Sequence, residues 1–286
     1  MANSTPHVST PQRPRITNGY VFRTVFGDDP EMCAELIRTC LDINVSELVF
    51  VQPERIVEAT DSNRAGRLDL YVVDTDGNRY DIEIQERFRE DEWLRARHYQ
   101  SLMDATFLKK GGKVKDLPQS LVLFICDFDP FGKGLKRYDC RTCCLQTGEE
   151  INDRRALVLL NAKGEKGVVS PSLNAFLQYV AGKEVCGDPF VDRINQIIDR
   201  RVRDQRWMEA YMTFQDELDA ERYYGEQLGR EKERKRFQAE LAEERRVNAE
   251  LARALNEAGR DGELTGAFLD DNKRAELIRE FGLEQR

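Results

Sequence analysis

The chain has 286 residues, 40% hydrophobic and 34% charged, and its 52 acidic and 44 basic side chains leave a net charge of −8. The hydrophobic share supports a real core, and the acidic excess argues against a surface coated with generic nucleic-acid-binding charge. Seven cysteines without an export signal favour reduced thiols in the cytoplasm over a disulfide framework, and no run approaches the roughly 18 apolar residues of a membrane span.

Residues 1–17 are polar and proline-rich, with no apolar h-region, and are expected to form a disordered leader. Asp29 before Pro30 reads as a helix cap, and Met32, Leu36, Ile37 and Leu41 then recur at helical spacing. Leu48 to Val51 is a short apolar run, read as a strand or a packed connection. Residues 67–85 alternate twice around one turn, as two strands of a hairpin. Glu90 to Leu108 reads as a helix, with Trp93, Leu94, Leu102, Met103, Phe107 and Leu108 as buried candidates.

Leu121 to Cys126 and Ala156 to Leu160 are continuous apolar runs of strand length, and Ser172 to Val180 reads as a short helix. This order predicts an α/β body with a mixed sheet over 18–187. Positions 1–187 carry 25 basic and 28 acidic side chains, positions 188–286 carry 19 and 24, so −5 of the −8 lies in the last 99 residues. A charged α-helical tail over 188–286 follows, broken at Gly225 and Gly229. Its alternating charges suit exposed helices with close ion pairs, and it is the candidate arm for a homo-oligomer.

The hairpin carries the chemistry. A three-residue loop of Thr75, Asp76 and Gly77 keeps Leu68, Leu70, Val72, Tyr80, Ile82 and Ile84 on one face. That register sets Asp69 opposite Glu83, Arg67 opposite Gln85 and Tyr71 opposite Asp81. Facing carboxylates have Cβ atoms about 4.5–5.5 Å apart, and their repulsion is relieved by a proton or a divalent cation. Oxygen donors of this kind suit Mg²⁺ or Mn²⁺, with the Gln85 amide free to orient a water. The alternative for the same alternation is a solvated polar face without a task.

Asp69 followed by Glu83-Ile84-Gln85 on the next strand resembles the PD-(D/E)XK nuclease superfamily in an Asp…Glu-x-Gln form. The stretches 20–27, 67–70, 81–85, 95–99, 108–111 and 122–128 are together similar to the Rpn-type recombination-promoting nucleases, also described as PD-(D/E)XK family transposases. This resemblance covers about residues 18–185. It implies a restriction-endonuclease-like αβββαβ core and Mg²⁺-dependent DNA endonuclease activity of recombination or mobile-element type. It makes Asp69 and Glu83 metal ligands and Gln85 a catalytic residue in place of the lysine. A further acid on the first helix is either Glu31 or Glu35.

Arg87, Arg95 and Arg97, with Arg67, Lys109 and Lys110, are candidates for contact with phosphates of DNA, expected to be double-stranded. A solvated helix face paired with neighbouring acids is the alternative for the arginines. Cys140, Cys143 and Cys144 have part of a zinc spacing but lack a fourth ligand nearby, so packing or surface thiols account for them better. No phosphate-binding glycine loop or dinucleotide fingerprint occurs, so no nucleotide cofactor is expected.

Overall fold

Two capped helices open the fold. Asn18 Oδ1 accepts from the backbone N–H groups of Tyr20 and Val21 at the start of α1 (Gly19–Phe26). Asp29 Oδ1 does the same for Glu31 and Met32 at α2 (Pro30–Leu41), where Pro30 occupies a position whose N–H has no helical partner to lose. The computed structural model describes residues 13–45, 47–57, 66–108 and 112–283, with the side chains at 50, 53–57, 66 and 67 outside the description.

Strands β1 (Leu48–Val57), β2 (Gly66–Asp74) and β3 (Arg79–Gln85) follow as an antiparallel run. Helix α3 (Glu92–Phe107) then crosses to β4 (Ser120–Cys126), which lies parallel to β3. The αβββαβ order is therefore present. β5 (Arg137–Cys140) and β6 (Arg155–Asn161) complete a mixed six-stranded sheet of order β1-β2-β3-β4-β6-β5. Helices α4 (Pro171–Val180) and α5 (Pro189–Arg201) come next.

The sheet is covered on both faces. Leu123 and Ile125 of β4 join a core with Phe22, Leu36, Ile82, Phe176 and Ile194, supplied by α1, α2, β3, α4 and α5. Val122, Phe124 and Cys126 point the other way, into a smaller core with Ala96, Tyr99, Leu102 and Met103 of α3. A strand buried on both faces has no polar alternation, which is why residues 121–126 read as one apolar run. The same packing corrects the reading of α3. Trp93 and Leu94 are 38% and 58% exposed, and Ala96 and Tyr99 take the buried positions instead.

Residues 13–17 do not behave as a leader. Ile16 is in the larger core, Arg13 pairs with Asp199 at 2.8 Å, and Arg15 donates to the Val180 carbonyl. The first compact unit extends to Met212 rather than ending near Gly187, because Phe190, Ile194, Ile198 and Trp207 bury themselves in its core.

The second unit, Thr213–Arg286, contains most of α6 (Gln205–Glu257), then α7 (Leu264–Leu269) and α8 (Asp271–Glu280). Leu251, Leu255, Ala267 and Leu277 form its own small core. α6 runs through Gly225 and Gly229 without the expected break. Pairs such as Glu231–Lys235 at 2.7 Å and Arg236–Glu240 at 2.9 Å line it, helping offset a cost of about 1 kcal/mol per glycine. Among the described residues no helix is long and apolar enough to cross a membrane.

Candidate active site

The hairpin has the register that its alternation implies. Tyr71 pairs with Asp81, Leu70 with Ile82, and Gly77 turns the chain at φ 82°. One residue beyond Leu70 the backbone ladder stops. The Asp69 N–H donates to Glu83 Oε1 at 3.0 Å, and the Ile84 N–H donates to the Asp69 carboxylate. Side chains of the two acids thus replace the backbone bonds where the strands part. Leu68 is corrected as a consequence: past the break it packs with Tyr71 and Val122, on the opposite face from Leu70 and Val72.

The acidic face is not solvated. α3 covers it, leaving Asp81 0% and Glu83 1% exposed, with Gln85 buried beside them. Both Asp81 carboxylate oxygens are buried without a hydrogen-bond partner. Burial, followed by the charge of Asp69, holds the Asp81 pKa well above the usual carboxylate range. Glu83 is raised by burial, then by Asp69 and Asp81, and Asp69 by burial against the opposing pull of Arg23. Two of these carboxylates are buried, and the Asp69 side chain is 20% exposed.

Two arginines answer them. Arg23 of α1 donates to Asp69 Oδ1 at 3.4 Å. Arg95 of α3 donates to Glu83 Oε2 at 2.8 Å, to Gln85 Oε1 at 3.2 Å and to Glu92 Oε2 at 3.4 Å. Burial pulls the Arg95 pKa down, but Glu83 and then Tyr99 outweigh it and leave it above its ordinary value. The expectation that Arg95 reaches outward to phosphate is therefore corrected, because its guanidinium is turned inward onto the carboxylates. Gln85 donates through Nε2 to Glu83 Oε2 at 3.1 Å, so both ends of its amide are engaged within the cluster.

The remaining candidates are dispersed. Arg87 and Arg97 are exposed, as a phosphate contact requires. The backbone of Arg67 pairs with Ile56 in β1–β2, but its side chain lies outside the description, and Lys109 and Lys110 lie outside the described residues altogether. Glu31 and Glu35 face Arg193 of α5, at 3.9 and 2.7 Å, rather than the cluster. Cys140, Cys143 and Cys144 are free thiols.

Asp81, Arg23 and Tyr99 were not singled out in the sequence as site residues. Asp81 had a signal, since period-two alternation from Glu83 and Gln85 puts it on their face. Tyr99 lies one helical turn after Arg95, and its hydroxyl accepts from that guanidinium at 2.9 Å. Arg23 lies in the stretch 20–27 that carries the resemblance, but at 46 residues from Asp69 it had no local signal for this pairing.

The family described as PD-(D/E)XK nuclease family transposase matches residues 16–162, a span that begins just before α1 and ends just after β6. The chain belongs to this family. Among curated proteins no relative matches it. Asp69 and Glu83-Ile84-Gln85 lie within the matched span, with no proline directly before Asp69. The donors fit the divalent cation that such nucleases usually use. Asp69 and Glu83 offer hard oxygens, and both Asp81 oxygens are buried beside them without a hydrogen-bond partner. Among the described residues no group of three or more His, Cys, Asp or Glu forms a ready cage. A cation such as Mg²⁺ needs only one or two carboxylates beside water and substrate phosphate.

Proposed function

We propose that this chain is a Mg²⁺-dependent DNA endonuclease of recombination or mobile-element type, acting on double-stranded DNA in the cytoplasm. The observation that carries the reading is the meeting of Asp69 with the buried Glu83 at the point where β2 and β3 part, with the Asp69 N–H bonded to Glu83 Oε1 and the Asp69 side chain still 20% exposed. A buried carboxylate held against a second acid is costly for folding alone, and a site for a divalent cation gives that arrangement a use.

Asp69 and Glu83 would hold the cation, with Mn²⁺ able to replace Mg²⁺. Bound there, such an ion supplies Lewis-acid polarisation of a phosphoryl oxygen and a water of lowered pKa. Gln85 and Arg95 keep Glu83 in one orientation, so no reorganisation is needed when substrate arrives. α3 and Phe124 exclude bulk water from the inner side of the cluster. Exposed Arg87 and Arg97 are free to hold the DNA backbone and carry no base preference by themselves.

The test is nicking of supercoiled plasmid by purified full-length protein in Mg²⁺ and in EDTA, with Asp69→Ala alongside. Wild type is expected to nick only with the cation, and Asp69→Ala to lose at least about 100-fold in rate. Equal nicking by both proteins, or DNA binding without cleavage by wild type, would favour a catalytically silent nuclease-like binding module instead.

A further inference from the structure

Strand β3 carries no positive charge at position 85, which is glutamine, and the Arg79 guanidinium at its start is bonded to Tyr71, Met103 and Thr106. The charge comes from another element. Arg95 of α3 reaches Glu83 Oε2 through Nη2 at 2.8 Å and Gln85 Oε1 through Nη1 at 3.2 Å. Gln85 Nε2 donates to the same Glu83 oxygen at 3.1 Å, so the three side chains close a ring of hydrogen bonds. The guanidinium is also clamped from outside. Tyr99 Oη accepts from its Nε and Nη2, and the Tyr99 and Phe124 rings lie 5.4 and 5.8 Å from its centre. With its side chain 18% exposed, Arg95 is not a surface arm free to follow a phosphate. A charge fixed by packing in water-poor surroundings is a pre-oriented electrostatic group.

We propose that Arg95 is a positioning residue of this site, supplying from α3 the fixed positive charge that β3 lacks at Gln85 and holding the Glu83 carboxylate through both contacts. The assignment rests on the nuclease reading of the same carboxylates, and its test separates the two.

Full-length wild type, Arg95→Met, Arg95→Lys and the double variant Arg95→Met/Gln85→Lys are compared in three measurements. These are circular dichroism for folding, calorimetric titration with Mn²⁺, and plasmid nicking in Mg²⁺. Arg95→Met is expected to nick at least about 100-fold more slowly. It should nonetheless bind Mn²⁺ about two- to tenfold more tightly, since a like charge has left the carboxylates. Arg95→Lys keeps the charge but cannot make every contact of the guanidinium, so its rate should fall between those of wild type and Arg95→Met. Gln85→Lys in the Arg95→Met background returns a cation to the same Glu83 oxygen. It should recover about tenfold or more of the lost rate and bring Mn²⁺ affinity back to within about threefold of wild type.

A purely structural arginine predicts different results. Arg95→Met would then lose folding and Mn²⁺ binding together, and Gln85→Lys would restore neither, which overturns the assignment. So does an Arg95→Lys as slow as Arg95→Met. If Arg95→Met does not fold, the double variant decides: folded with wild-type Mn²⁺ affinity supports the assignment, and anything less overturns it. If wild type nicks no plasmid, the nuclease reading fails by itself, and the four Mn²⁺ affinities still judge Arg95. A wild type that binds no Mn²⁺ overturns both.

Discussion

Asp81 is fully buried, and neither of its carboxylate oxygens has a partner. With Asp69 and Glu83 it shares a pKa displaced upward, chiefly by burial and then, for Asp81 and Glu83, by the charge of Asp69. The folded state therefore binds protons more tightly than the unfolded chain. The stability this contributes is complete below the ordinary carboxylate range, about pH 4, and is lost as pH rises through the raised values. Metal-free protein is expected to weaken from acid toward neutral pH by this route, and added Mg²⁺ to recover part of the loss. Asp81→Asn removes one charge from the cluster, so it should flatten the fall and gain about 1–3 kcal/mol at pH 8. Thermal unfolding in EDTA across this pH range, wild type against Asp81→Asn, measures both effects. A variant less stable than wild type at pH 8 counts against uncompensated charge at this position.

Among the elements, the β2–β3 hairpin was the most legible. Its two alternating halves and the glycine turn are local properties, and the pairing of Tyr71 with Asp81 follows from them. Gly77 has φ 82° and open space where a Cβ would go, so Gly77→Ala should cost about 1–2 kcal/mol from backbone conformation alone. Urea unfolding of the variant checks this, and an unchanged midpoint would mean that the turn relaxes. Helix α3 was less legible. Its inner face mixes Ala96, Tyr99, Leu102 and Met103 with Arg95 and Gln100, because part of what it covers is polar. β5 was missed altogether: Arg137–Cys140 has no apolar run, and it forms against β6, which offers it an edge. The charged helix α6 was legible in type, but Gly225 and Gly229 suggested ends that the neighbouring helix formers override.

For the molecule as a whole, the net charge of −8 leaves DNA affinity to local contacts. If Arg87 and Arg97 each hold one phosphate, replacing either with alanine should reduce the slope of log affinity against log salt by about 0.9. Fluorescence anisotropy with a labelled duplex over a salt series reads this, and unchanged slopes would remove them from the interface. Both faces of the sheet and every described member of the carboxylate cluster belong to the unit that extends to Met212. A chain stopped after Met212 is accordingly expected to fold, to bind Mn²⁺ within about threefold of the full-length affinity, and to keep nicking plasmid. Loss of Mn²⁺ binding in a folded truncation would show that the second unit contributes to the site.

The placement of Asp69 against Glu83, the α/β order and the charged helices after the body are all readable in the sequence. Each depends on period, turn chemistry or composition over neighbouring residues. Whether that acidic face met water or protein was not readable, because burial depends on elements far along the chain. Arg95 lies 12 residues from the glutamate it holds, and Arg23 lies 46 from the aspartate it meets. Packing α3 over the hairpin buried Asp81 and Glu83 of an ordinary polar face beside the partly exposed Asp69. It also turned an arginine that resembled a surface phosphate contact into an internal counter-charge.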